Sequence, residues 1–287
     1  MKNFLFPIII LAIFSACSNS SETTASEPEG PLPLHSSFSY TEEDLDELID
    51  GVTGIDAPSR EAIMTAVKAN PETFFDLMEE MLKEDPSLFI LVDKQHPLES
   101  SYIPPDLVNM DDISLFKKNK SAMQIRRICL PSLIEMNQAA EEEGLELLHS
   151  SCYRSYVYQV KTYNYWVEQL GKEEADKVSA YPGKSQHQLG LALDFGSIDD
   201  SYAETAEGAW QLENAWKYGW SLSFPEGKEE LTGYSYECWH YRYIGKAAAR
   251  VEKEYFHGLQ QNLLTFWKEK EEDIRSHKLS ESPVQES

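Results

Sequence analysis

The stretch SQHQLGLALD, residues 185–194, constrains the fold of this chain more than any other. It sets His187 and Asp194 seven positions apart in a run of small and apolar residues. On an ideal helix that spacing leaves two side chains roughly 10 Å apart along the axis. On a straight strand it puts them on opposite faces, roughly 23 Å apart. Neither geometry lets both touch one small object. They converge only if the chain reverses between them, and Gly190, free to take φ > 0, is the residue that can make the turn. The stretch therefore holds either two unrelated residues or two ligands joined by a strand–turn–strand.

A second stretch, YSYECWHYRY at 234–243, holds Glu237 and His240 among aromatics that favour strand. Strict alternation would put these two on opposite faces. Both serve one site only if Glu237 lies in the approach loop or at a bulge and His240 on the strand proper. Together, His187, Asp194 and His240 form a two-histidine, one-carboxylate set with Glu237 left over. Catalytic zinc takes three protein ligands of these types and keeps a position for water. It acidifies that water and polarises a carbonyl, while a nearby carboxylate that does not bind the metal can move the proton. Arg154 precedes Ser155, a good helix N-cap, and so sits at a strand-to-helix corner. Its charged fork suits a substrate carboxylate; a surface ion pair is the plainer alternative. The remaining histidines, His35, His96, His149, His257 and His277, read as core or surface residues.

The N-terminus, MKNFLFPIIILAIFSAC, has one basic residue, an apolar run too short to span a bilayer, and small residues before Cys17. Residues 1–16 thus read as an export signal. Ser15-Ala16-Cys17 resembles the bacterial lipobox, which would make Cys17 a lipidated membrane anchor, although Phe14 departs from that pattern. Ordinary cleavage and free secretion is the competing outcome. Either way the protein is expected outside the cytoplasm, facing the periplasm or cell wall. Residues 17–38, rich in Ser, Thr, Glu and Pro, read as a flexible linker, and 39–88 as a small helical segment with apolar residues at helical spacing.

Residues 89–262 read as an α+β domain, a small antiparallel sheet flanked by helices. Helix is expected at 121–143, restarting at Pro131, at 155–171 and at 207–217. Strands are expected at 146–150, 188–195, 220–224 and 234–244. A terminal helix of about 25 residues begins near Lys246, and its charged end and tail occupy 263–287. A net charge of −24 argues against nucleic acid, which demands a basic surface. Cys129, Cys152 and Cys238 match no metal or redox spacing, and buried free thiols are expected over a Cys152–Cys238 bridge.

YRS at 153–155 with Gln159, SQHQLGLALD at 185–194, and GYSYECWHYRYIG at 233–245 resemble the signature blocks of the VanY-type D-alanyl-D-alanine carboxypeptidases. KQHPL at 94–98 and YIPPDLV at 102–108 resemble the segment that opens that family's domain. The blocks occur in the family's order, and the helical segment 40–86 lies outside them. The resemblance implies a zinc (Zn2+) peptidase that removes the C-terminal D-alanine from peptidoglycan stem peptides. It makes His187, Asp194 and His240 the metal ligands and Glu237 the catalytic base. Arg154 would hold the terminal carboxylate, and Ser185 and Gln159 would make polar contacts to substrate or support the ligands. Gln186 stands where an acidic residue is common, and Cys238 where proline is frequent. An L,D-carboxypeptidase or an endopeptidase on muropeptides remains open, as does a lipoprotein that binds wall peptide without turnover.

Overall fold

The N-terminal helices are set by their caps. In the computed structural model, which describes residues 31–279, Thr41 and Asp44 cap α1 (Glu42–Asp50) reciprocally. The Asp56 side chain opens α2 (Ala57–Ala69), with Pro58 in its first turn. The Asn70 side chain opens α3 (Pro71–Met81). Leu45, Leu48 and Ile49 of α1, Ile63 and Val67 of α2, and Phe74, Phe75, Leu77, Met78 and Met81 of α3 are all buried. The leader 1–16, Cys17, the linker up to residue 30 and the tail from 280 lie outside the described residues. At the linker's end, Phe38 is buried and bridges Lys278. Ser39 N–H donates to the His277 carbonyl (2.9 Å), and Leu279 N–H to the Ser37 carbonyl (2.8 Å).

Three short strands follow: β1 (Leu107–Asn109), β2 (Lys117–Lys118) and β3 (Gln124–Arg126). The expected helix over 121–143 is therefore corrected at its start. Residues 124–126 pair antiparallel with β1, and α4 (Leu130–Glu142) begins only after a 3-10 turn. Pro131 sits in the first turn of α4, where its missing N–H leaves no bond unmade. The next elements are β4 (Leu148–Ser151), α5 (Tyr156–Leu170, capped by Ser155), α6 (Lys172–Val178) and β5 (Ala192–Phe195). Then come α7 (Ala206–Asn214), β6 (Trp220–Leu222), α8 (Glu229–Thr232), β7 (His240–Tyr243), α9 (Lys246–Tyr255) and α10 (Gln260–His277).

The main sheet has the order β2-β4-β5-β7-β6. Its four longer strands pair antiparallel, as expected, whereas the edge strand β2 runs parallel to β4. Three further expectations need correction. The strand expected over 234–244 is confined to His240–Tyr243. Residues 186–189 form a 3-10 turn, so the strand expected from 188 starts at Ala192. The single terminal helix is two helices, broken where His257 (φ 54°) and Gly258 (φ 72°) turn left-handed in succession. α9 and α10 return across the N-terminal helices: the Phe74 ring meets Tyr255 edge-on at 5.1 Å and Phe266 at 6.3 Å. Cys129, Cys152 and Cys238 are buried free thiols. Among the described residues, no helix is long and apolar enough to cross a membrane.

Candidate metal centre

The reversal between His187 and Asp194 happens at Gly190. His187 lies in the 3-10 turn Gln186–Leu189, and Gly190 (φ 68°, ψ 15°) ends it with its N–H on the His187 carbonyl (3.1 Å). A Cβ at Gly190 would lie 3.0 to 3.2 Å from side-chain carbons of Arg126, Leu107 and Pro104. The 102–108 segment and β3 thus pack directly on the turn. Arg126 N–H also donates to the Gly190 carbonyl (3.0 Å), and the Arg126 guanidinium is fixed by Asp106 (2.6 Å) and Asp85 (3.2 Å). After the turn, Asp194 enters the central strand β5 directly opposite His240 of β7. Register partners in an antiparallel pair present their side chains on one face. Glu237 lies in the approach loop, where its carbonyl accepts the His240 N–H (3.1 Å), which brings it to the same side.

The three sequence-selected ligands converge. One ligand atom from each of His187, Asp194 and His240 lies within 4.8 Å of the others, and all three residues are buried. Among the described residues no other group of this kind occurs. His187 Nε2 is 3.2 Å from Asp194 Oδ2, and His240 Nδ1 is 3.1 Å from Asp194 Oδ1. His240 Nδ1 also lies 3.4 Å from Glu237 Oε2. The outward-facing nitrogens are engaged elsewhere: His187 Nδ1 with the Cys152 carbonyl (2.7 Å) and His240 Nε2 with Gln186 Oε1 (3.2 Å). Each outer acceptor takes an N–H, which leaves a lone pair on each inward nitrogen.

The buried His187 Nε2 and Asp194 Oδ1 make no hydrogen bond. Orphaned polar atoms facing one another in a buried site are expensive unless something occupies the space between them. Burial and the Arg154 charge push His187 down to about 4. Burial pushes Asp194 up, but the two imidazoles hold it well below the usual carboxylate range. A neutral imidazole beside an ionised carboxylate is the protonation state that a divalent metal requires of its ligands. The donor set fits zinc.

Beside this centre is a cleft of about 380 Å³, lined by Arg154, Gln159, Ser185, Trp166, Tyr236 and Glu237 among others. Glu237 keeps 15% of its side chain exposed, and burial pushes its carboxyl up to about 7 against the pull of His240. Arg154 lies between β4 and α5, and its backbone N–H donates to the His187 carbonyl (3.2 Å). Its side chain forms no ion pair among the described residues, and its buried Nε has no partner. Gln159 is buried and donates to the Ala180 carbonyl (2.7 Å), which pins the loop before Ser185. Ser185 lines the cleft but its side chain does not cap the turn that follows.

Two contributors were given no role from the sequence, although Gln186 had stood out as a departure from the family's pattern. Gln186 turns out to hold the outer nitrogen of His240, and Phe224 packs on the His240 ring at 4.9 Å. Adjacency to His187 and that departure were the available signals for Gln186; Phe224 offered none. The remaining histidines lie elsewhere: His35 bonds Asp76, His96 bonds Asp93, His149 sits between Phe116 and Phe195, His257 turns the chain into α10, and His277 stacks on Tyr40.

Comparison with known proteins bears on the same segment. The sequence model of the VanY family, described as D-alanyl-D-alanine carboxypeptidase, matches residues 122–246. The chain is 39% identical over 178 residues to YodJ of Bacillus subtilis, which carries a carboxypeptidase name. It is 33% identical over 207 residues to a D-alanyl-D-alanine carboxypeptidase of Enterococcus faecalis, covering 68% of this chain and 72% of that one. It spans 65% of YodJ and 54% of a D-alanyl-D-alanine carboxypeptidase of Enterococcus faecium, less than two thirds of either. The solved LdcB LD-carboxypeptidase is similar at 35% identity and a TM-score of 0.54, over 68% of this chain and 89% of that one. The D,D-pentapeptidase VanY of a VanB-type vancomycin-resistance cassette, solved as a variant in complex with Zn(II), is similar at 29% identity and a TM-score of 0.52. That match covers 62% of this chain and 99% of the other.

Proposed function

Because the chain belongs to the VanY family of D-alanyl-D-alanine carboxypeptidases, we propose that it is a zinc-dependent peptidase of the bacterial cell wall. Its substrate is a peptidoglycan stem peptide, from which it removes the C-terminal D-alanine. The observation that carries this reading is the buried convergence of His187, Asp194 and His240, with Glu237 at the cleft side of the same cluster. His187, Asp194 and His240 would hold the ion. Zinc bound there supplies a Lewis acid that lowers the pKa of water and polarises the scissile carbonyl.

The protein's own groups do the rest. Glu237, partly open to the cleft and near neutrality in its proton affinity, takes a proton from the attacking water and delivers it to the leaving amine. The Arg154 fork pairs with the substrate's terminal carboxylate and sets the register of the cut. A substrate without that carboxylate leaves the guanidinium unpaired and is rejected. Ser185 and Gln159 shape the polar wall of the cleft. Export, and a lipid tether at Cys17, belong to the same proposal and would place the enzyme where stem peptides are found.

The deciding experiment incubates purified protein, with and without chelator, on muropeptides with defined tripeptide, tetrapeptide and pentapeptide stems, read by mass. The pentapeptide should lose one alanine, the chelator should stop the reaction, and added zinc should restore it. Glu237→Ala should lower turnover by about 10²–10⁴-fold while bound zinc per chain stays unchanged. Retained peptide binding without any cleavage by the native protein would mark a binder and sink the enzymatic reading. The likeness to LdcB, at higher identity than to the Zn(II)-bound VanY, favours one second reading. If only the tetrapeptide is shortened, the enzyme is an L,D-carboxypeptidase.

A further inference from the structure

His240 lies on β7, yet its outer nitrogen is tied to residues far beyond the sheet. Gln186 Oε1 faces His240 Nε2 at 3.2 Å and also accepts from the Ser223 hydroxyl at 2.7 Å. Gln186 Nε2 donates to Gln260 Oε1 (3.0 Å), and Gln260 Nε2 donates to Ser221 Oγ (2.8 Å). The Ser221 side chain also lies beside the carboxyl group of Glu252. Every side chain in this series belongs to a residue no more than 6% exposed. Gln260 opens α10 and Glu252 lies on α9, both beyond the segment that matches the family.

The donors all point one way. A hydroxyl and a carboxyl can each give or take a hydrogen, so the sense of the series is set by the two carboxamides as the structure places them. Ser221 Oγ then accepts from Gln260, Gln260 Oε1 from Gln186, and Gln186 Oε1 from His240. Turning one carboxamide over alone would set two donors or two acceptors against each other where Gln186 meets Gln260, so the two carboxamides are oriented together. A hydrogen-bond series of one sense is also mutually polarising. Its result at the near end is a hydrogen on His240 Nε2 and a lone pair on Nδ1, the nitrogen 3.1 Å from Asp194.

We propose that Gln260, acting through Gln186 and anchored by Ser221, is a positioning residue that fixes the His240 tautomer for metal binding. This rests on the reading of His187, Asp194 and His240 as a zinc site. It explains how the chain manages with Gln186 before its first ligand histidine: the acceptor for His240 is a carboxamide oriented from α10. It also gives the left-handed pair His257 and Gly258 a role, because that turn starts α10 where Gln260 enters the buried series.

The test uses the full protein in two assays. Long-range proton–nitrogen spectra of the metal-free protein report the tautomer of His240, and competition with a chromophoric chelator reports zinc affinity. The native protein should show the Nε2–H form. Gln260→Leu should mix the tautomers and weaken zinc binding about 10–100-fold, with the fold intact by circular dichroism. Gln260→Glu keeps an acceptor for Gln186 and a second oxygen for the Ser221 hydroxyl, and should hold affinity near the native value. An unchanged tautomer with zinc affinity within twofold in Gln260→Leu overturns the proposal. If that variant does not fold, Ser221→Ala decides by the same two measurements, with a smaller weakening expected and no change overturning it. Failure of the native protein to bind zinc would count against the metal-site reading itself, while the tautomer spectra would still judge the hydrogen-bond series.

Discussion

Gly190 is where the local chemistry of the site is decided. Its backbone is left-handed, and three side chains close over the position a Cβ would take. Gly190→Ala should destabilise the protein by about 2 kcal/mol, combining the left-handed penalty with crowding. It should also loosen zinc, because the turn carries His187. Urea melts of the two proteins check the first effect, and an unchanged midpoint would refute the account of the turn. At this scale much was legible beforehand. Two residues seven apart could meet only through a reversal, and glycine was the one residue that could make it. Gln260 was not legible, because it lies 74 positions from Gln186 and nothing in the first turn of a helix announces a partner that distant. Gln186 read as a departure from a pattern until the outer nitrogen of His240 came into view.

Among the elements, β4 carries a buried histidine that the site does not use. His149 lies between the edges of Phe116 (4.8 Å) and Phe195 (5.3 Å), and neither ring nitrogen has a partner. Burial, helped by the charge of Lys118, pushes its pKa down to about 3. The unfolded chain takes up a proton on this ring near pH 6.5, while the folded one resists until about pH 3. Its contribution to stability is therefore complete above pH 6.5 and is lost as pH falls from there towards 3, on the order of 5 kcal/mol by the end. His149→Phe should leave stability at pH 7 equal or higher and flatten the acid limb. Urea midpoints at pH 7, 5.5 and 4.5 test this, and parallel curves for the two proteins would contradict it. Elements with a cap, such as α1 and α5, were readable because Thr41 and Ser155 act within three residues. Residues 124–126 were misread as helix because a three-residue strand is fixed by its partner, here β1, rather than by its own pattern. The break between α9 and α10 was missed because one glycine inside a helical pattern is a weak signal.

For the whole molecule, the N-terminal helices are structural rather than decorative. Apolar periodicity showed which faces of α1–α3 were sticky, but their partners, Tyr255 and Phe266, lie nearly two hundred residues on. Just beyond these helices the Arg242 guanidinium holds the chain, donating to the Leu88 and Ile90 carbonyls at 2.8 Å each. Deleting residues 33–86 strips five large apolar side chains of α3 from the core. At about 1.5–3 kcal/mol each, that rivals the entire stability of an ordinary domain. The shortened protein should be insoluble or unfolded; a soluble product with dispersed amide signals and intact zinc binding would overturn this. The pairing of residues 37–39 with 277–279 adds one more consequence. It works as a clasp, in which residues 277–279 lock residues 37–39. A tug on whatever precedes Pro33 would be borne by that fastening before it reached the sheet, and clipping the chain just before Lys278 should halve its grip, leaving the Ser39 N–H on the His277 carbonyl.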